Sequence, residues 1–177
     1  MRSKLGIWCV LVLVAGGGIA YSAESLHIVP IVSGDDVLVS FELADAYTEE
    51  VREAISSGLR TTFTYEVELR MVVPGWVDRT ITTAIVTTSN HYDNLTRRHT
   101  LARAIDGRVV DQVVTENESA VGEWLTTLKR VPLCQTSRLD PSRDYFVRIR
   151  ARRRPSGASL LGWANNITGQ ARFTFIP

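Results

Sequence analysis

The sequence predicts a mainly β protein, an antiparallel sandwich-like domain carrying two short amphipathic helices. Three observations carry that prediction. Apolar and polar side chains alternate with period two through most of the chain, most clearly where Phe63, Tyr65, Val67, Leu69 and Met71 interleave with Thr62, Thr64, Glu66, Glu68 and Arg70. Turn signals separate the runs, above all Pro74-Gly75 and Asp106-Gly107. Two segments switch to the helical period. An α+β arrangement, one curved antiparallel sheet with helices beside it, fits the same pattern and stays open as the alternative.

The first element is not part of the domain. Arg2 and Lys4 precede an uncharged run from Leu5 to Ala20, and small residues at Ala20-Tyr21-Ser22-Ala23 follow. That order of basic, apolar and small residues is the pattern of a secretory signal peptide, expected to be cut after Ser22 or Ala23. An uncut membrane anchor is the rival reading; the apolar run falls short of the roughly 20 residues a spanning helix needs. The expected organisation is a signal peptide over residues 1–23 and one β-rich domain over residues 24–177, so the protein is expected outside the cytoplasm, in the periplasm or beyond. Cys134 is then the sole cysteine left, which excludes an internal disulfide and a cysteine-based zinc site.

Strands are expected over Val37–Leu43, 61–72, Thr80–Thr88, Leu95–Ile105, Arg108–Val114, Tyr145–Arg152 and Ala171–Ile176. Asp106-Gly107 suits a type I′ hairpin turn, because both residues tolerate positive φ. The first helix starts at Thr48, with Glu49 and Glu50 where the helix dipole favours acids, and ends at Gly58. The second is expected from Asn117 to Leu128, with Val121, Trp124, Leu125 and Leu128 on one stripe and Lys129 and Arg130 closing it before Pro132. Arg153 to Gly169 reads as a surface loop. Leu139-Asp140-Pro141-Ser142-Arg143-Asp144-Tyr145 resembles the corner before a core strand in fibronectin-type sandwiches, where a tyrosine hydroxyl ties back to upstream backbone.

Charge is unevenly placed. Loss of Arg2 and Lys4 takes the formal net charge from +1 to −1. Residues 24–90 carry 4 bases and 11 acids, whereas residues 91–177 carry 14 bases and 8 acids. The two halves neutralise each other if they share a sheet. A near-neutral, exported chain is a poor candidate for nucleic acid.

Several motifs together resemble a family of exported bacterial proteins known as domain of unknown function 4390. They are Phe41-x-Leu43; Ala54 to Leu59 leading into Phe63-x-Tyr65-Glu66-Val67-x-Leu69; Trp76 with Asp78; Tyr92-Asp93-x-Leu95-Thr96-Arg97; the helix with Trp124 and Leu125; and Tyr145-x-Val147-Arg148-Ile149-Arg150. They span residues 37 to 154. His99 departs from the tyrosine usual there, and the tail after residue 155 departs as well. The resemblance implies export and a β-rich fold, and it implies no reaction, ligand or cofactor.

Candidate chemistry is sparse. Glycine-rich phosphate loops, Gly-x-Ser-x-Gly and His-Glu-x-x-His are all absent, so no catalytic residue, metal site or cofactor is assigned. A hydrolase reading would gather His91, Asp93 and His99 at one hairpin corner; the simpler reading is a polar turn in which Asp93 caps the backbone. The distinctive feature is Arg148-x-Arg150-x-Arg152, whose side chains on a strand project from one face about 6–7 Å apart. That row is either a binding surface for an acidic partner or half of a set of cross-strand pairs with Glu66 and Glu68. The function expected is non-catalytic, an envelope protein that binds another envelope protein through Arg148, Arg150 and Arg152, with contact to a membrane surface as a further option. The alternative is a carrier or sensor of a small lipid-like ligand held near Trp124 and Tyr145; hydrolysis is the remote third.

Overall fold

A computed structural model describes residues 25–155 and 166–175. The expected signal peptide and residues 156–165 of the expected loop lie outside the described residues. Among the described residues nine strands form two antiparallel sheets, and two α-helices lie between strands in sequence. β1 (Ser25–Ser33), β2 (Asp36–Ala44) and β7 (Thr127–Gln135) make a three-stranded sheet in the order β1-β2-β7. The larger sheet runs β6-β5-β4-β3-β8-β9, from β3 (Thr61–Met71), β4 (Arg79–Asp93), β5 (Arg98–Ile105), β6 (Arg108–Thr115), β8 (Asp144–Pro155) and β9 (Asn166–Thr174). One hydrophobic core joins the sheets, so the two-sheet arrangement holds and the single curved sheet does not.

The alternation sets the faces. Phe63, Tyr65, Val67 and Leu69 of β3 and Tyr145, Val147, Ile149 and Ala151 of β8 are buried on the core face. Val37, Val39, Phe41 and Leu43 of β2 meet them from the smaller sheet, with the rings of Phe41 and Tyr65 packed edge to face at 5.0 Å. Each fully buried aliphatic side chain of this kind stabilises the fold by about 1.5–3 kcal/mol relative to exposure.

Both helices cover the core face beside the small sheet. α1 (Glu49–Ser56) buries Val51 and Ile55 and lies on β3 and β4. Thr48 takes its N-cap position, where its carbonyl accepts the N–H of Arg52 at 3.1 Å. α1 closes with Leu59 N–H bonded to Ala54 O and Gly58 N–H to Ile55 O, the paired bonds of a Schellman end. α2 (Glu118–Thr126) starts at Asn117, whose side chain accepts the N–H of Ser119. It packs on β3, β4 and β5.

α2 is shorter than the apolar stripe predicts, and the chain passes straight into β7. The reason is at its end. Tyr65 Oη and Thr88 Oγ1 both donate to the carbonyl of Leu125, at 2.7 and 2.9 Å, and so satisfy a terminal acceptor from the sheet. Leu128 is fully buried from β7 rather than from a helix. Pro132 sits inside that strand, opposite Leu38, at the free edge of the smaller sheet where a missing N–H costs no ladder bond. β1 was equally unmarked in the sequence: Pro30 interrupts its run, and β1 too is an edge strand.

The turns follow their residues. Asp106 and Gly107 both have positive φ, 49° and 79°, as a type I′ hairpin requires. β4 continues to Asp93 and the turn falls at 94–97, a few residues later than the polarity of Asn90 to Asn94 suggests. The tyrosine corner forms: Tyr145 Oη accepts the N–H of Asp140 at 2.7 Å and donates to its carbonyl at 3.3 Å.

The outer face of the large sheet

The non-core face of β3 and β8 carries the arginine row. The ladder sets Arg150 opposite Glu66, Arg148 opposite Glu68 and Arg152 opposite Thr64. Glu68 is the centre of the network. Arg148 donates to its Oε2 through Nε at 2.9 Å and through Nη2 as well, Arg150 Nη1 reaches its Oε1 at 3.4 Å, and Arg70 Nη1 lies 3.5 Å from Oε2. Glu66 takes the remaining contact, 3.3 Å from Arg150 Nη1. Three guanidiniums thus surround one largely buried carboxylate.

Arg148 and Arg150 are therefore engaged within the sheet, each partly buried. Arg152 is exposed, and so is Arg172 on β9, which stands opposite Phe146. Neither has a carboxylate within ion-pair distance among the described residues. Arg70 lies over the Phe146 ring, 5.9 Å from its centroid, and bonds the carbonyl of Asp78 at 2.8 Å. This face thus bears Arg70, Arg148, Arg150, Arg152 and Arg172 against Glu66 and Glu68. Arg172 is the member that sequence reasoning missed; its alternation with Gln170 and Thr168 on a strand beside the row was the available signal.

The other sequence candidates do not converge. Trp124 stacks on the Arg103 guanidinium at 4.5 Å, and Arg103 stands in register with Thr88 and Phe63, whereas Tyr145 stands in register with Met71. Eight ladder positions, roughly 26 Å, separate them along β3. Tyr145 borders a shallow cleft of about 300 Å³ with Val72, Asp144, Arg172, Phe173 and Thr174, and Trp124 takes no part in it.

The histidine corner is divided by the pleat. His91 is exposed on one face, while His99 is buried on the other, against Tyr92 at 4.5 Å between centroids and bonded to Asn90 Oδ1 at 3.3 Å. Burial holds His99 below the usual imidazole range. Asp93 caps the turn: its carboxylate accepts the N–H of Leu95 at 2.9 Å and the hydroxyl of Thr96 at 2.9 Å. The Leu95 bond leads the effects that lower its pKa. Arg98 pairs with Glu116 at 3.0 Å. Among the described residues no group of three His, Cys, Asp or Glu side chains is placed to hold a metal ion, and no helix is long and apolar enough to cross a membrane. Cys134 is half-buried, and burial pushes its thiol up.

The fold and this surface define an antiparallel two-sheet domain with a guanidinium-rich outer face. The chain belongs to the family described as domain of unknown function DUF4390, whose model matches residues 21–160. No curated protein and no solved structure matches it.

Proposed function

We propose that this protein is a non-catalytic protein-interaction domain of the cell envelope, exported by its N-terminal segment, which binds an acidic surface of another envelope protein. The observation that supports the reading is the imbalance on the outer face, where five arginines meet two glutamates and Arg152 and Arg172 stand exposed at either end of the Glu66/Glu68 network. The network ties β3 to β8 in this register. The two exposed guanidiniums, roughly 20 Å apart along β8 and β9, are free to take bidentate carboxylate partners.

The test is native mass spectrometry of the protein gently isolated from its own envelope, with and without Arg152→Ser and Arg172→Ser together. These positions are chosen because Arg148→Ser or Arg150→Ser strips partners from Glu68 and disturbs folding as well as binding. A protein that co-isolates with the native chain and is lost from the folded double variant supports the reading. Undiminished co-isolation removes this face from the interaction. A small-molecule adduct without a protein turns the assignment to the lipid-carrier alternative. Retention on anionic vesicles that the double variant loses assigns the face to a membrane surface instead.

A further inference from the structure

The hairpin of β3 and β4 ends in an exposed tryptophan. β4 leaves the β5–β6 hairpin behind where Asp106 N–H bonds the carbonyl of Ile85, and it runs on to Arg79, roughly 20 Å further. On the other flank β8 starts at Asp144 and β9 ends at Thr174, level with Val72, whose N–H bonds the Asp144 carbonyl. The turn between β3 and β4 therefore projects beyond the neighbouring strands. It carries Trp76 and Val77 with 81 and 74% of their surface in water.

Local bonds hold this tip in shape. Trp76 donates its N–H to Val73 O at 3.1 Å, Pro74 takes the second position of the turn, and Gly75 has a φ of 75°, as a type II turn requires. Arg70 Nη2 donates to Asp78 O at 2.8 Å, and the Asp78 carboxylate accepts Val73 N–H at 3.4 Å. Two large apolar side chains are thus displayed on fixed backbone, so little ordering opposes their burial. Beside them Arg79 and Arg138 are exposed, with no carboxylate within ion-pair distance among the described residues. Arg138 is held at this end by its bond to the carbonyl of Ile81, 3.1 Å long. The carboxylates of the same end serve local donors: Asp78 the turn, Asp140 the N–H and hydroxyl of Ser142, and Asp144 the hydroxyl of Thr174.

We propose that this tip docks the protein on an anionic bilayer surface, with Trp76 and Val77 at the headgroup–acyl boundary and Arg79 and Arg138 against lipid phosphates. An indole has an apolar body and one N–H, the combination that favours the membrane–water boundary. Two guanidiniums without carboxylate partners, one on each side of the tip, match a surface that offers phosphates all around the inserted rings. The geometry also fixes an orientation. β4 is 15 residues long, roughly 50 Å, so the turn at its other end, with the exposed Leu95, stands far from a bilayer that Trp76 enters.

The apolar run at the N-terminus can hold the full chain to vesicles by itself, so the test reads the tip locally. In a background with Cys9→Ser and Cys134→Ser, Val77→Cys and, separately, Leu95→Cys carry a nitrobenzoxadiazole fluorophore, which brightens and shifts to the blue on leaving water. Vesicles of phosphatidylglycerol should produce that change at residue 77 and not at residue 95. Vesicles of phosphatidylcholine alone should produce much less, and salt at about 1 M should weaken the response to phosphatidylglycerol. Trp76→Ser in the chain labelled at residue 77 should raise the lipid concentration at half-change by about tenfold, with the unfolding midpoint unchanged because the indole is exposed. A probe at residue 77 that stays in water, equal changes at residues 77 and 95, or equal changes on anionic and neutral vesicles overturns the proposal. Arg152→Ser with Arg172→Ser keeps the response at residue 77, so membrane contact through the tip is told apart from contact through the outer face.

Discussion

The two flanks of the six-stranded sheet are built from strands of similar composition and have opposite fates. β9 alternates exposed and half-buried residues, and β1 closes over it at van der Waals contact, with Leu26 and Ile28 seated on Gly169. β6 carries four valines against the Ile167, Ala171 and Phe173 of β9, and leaves all four exposed where those of β9 are half-buried. A three-stranded sheet and two helices span the core face from β9 to β5 and stop there. Alternation alone does not distinguish a covered strand from an uncovered one. What differs is the supply of opposing elements: β1 lies over β9, whereas β6 has its main contacts with β5.

That comparison can be broken at several points. The largest effect is expected in the covered region: Leu125→Ala, fully buried over the sheet, should destabilise by about 2–5 kcal/mol in urea unfolding, while Val113→Ala on the uncovered flank should stay within about 0.5 kcal/mol. Equal effects would mean that β6 is covered in solution. Next comes Gly169→Val, whose first added carbon would meet Leu26 Cβ at 3.1 Å and Ile28 Cδ1 at 3.2 Å; overpacking of this kind costs about 1–3 kcal/mol. A neutral result would show that β1 is free to lift from β9. Glu68→Gln should cost about 1–3 kcal/mol by leaving Arg148 and Arg70 with a weaker acceptor, measured as a lowered urea midpoint with unchanged slope.

The smallest effect is a pH dependence. Burial lowers the pKa of His99, so as the pH falls the unfolded chain takes up that proton before the folded one does. The stability tied to neutral His99 is fully present above about pH 6.5 and is lost as the pH drops from there towards the lower folded value. Urea midpoints at about pH 7.5 and about pH 5.5 should differ in the native chain and differ less in His99→Tyr, which removes the titrating ring. The same difference in both proteins would place the titration elsewhere.

Much of this was legible in the residues, and the failures are instructive. Alternation in 61–71 and 145–152 marked β3, β8 and their faces, and the Asp106-Gly107 turn and tyrosine corner followed from residue chemistry alone. β1 and β7 were not legible because Pro30 and Pro132 argue against a strand unless it is known to be an edge. The end of α2 was misplaced because Leu128 continues the helical stripe and is equally buried in a strand. The arginine row was visible, but not its state: two readings of Arg148 and Arg150 stood open until register put Glu68 and Glu66 opposite them.

The sequence by itself determined the strands other than β1 and β7, their inward faces and the Asp106-Gly107 hairpin turn, since period two and positive φ are local properties of the chain. Only the tertiary structure decided which arginines are spent on glutamates, that His91 and His99 point apart, and that β6 is left bare. Those depend on register and on which elements lie opposite, and both are set by residues far apart in the chain.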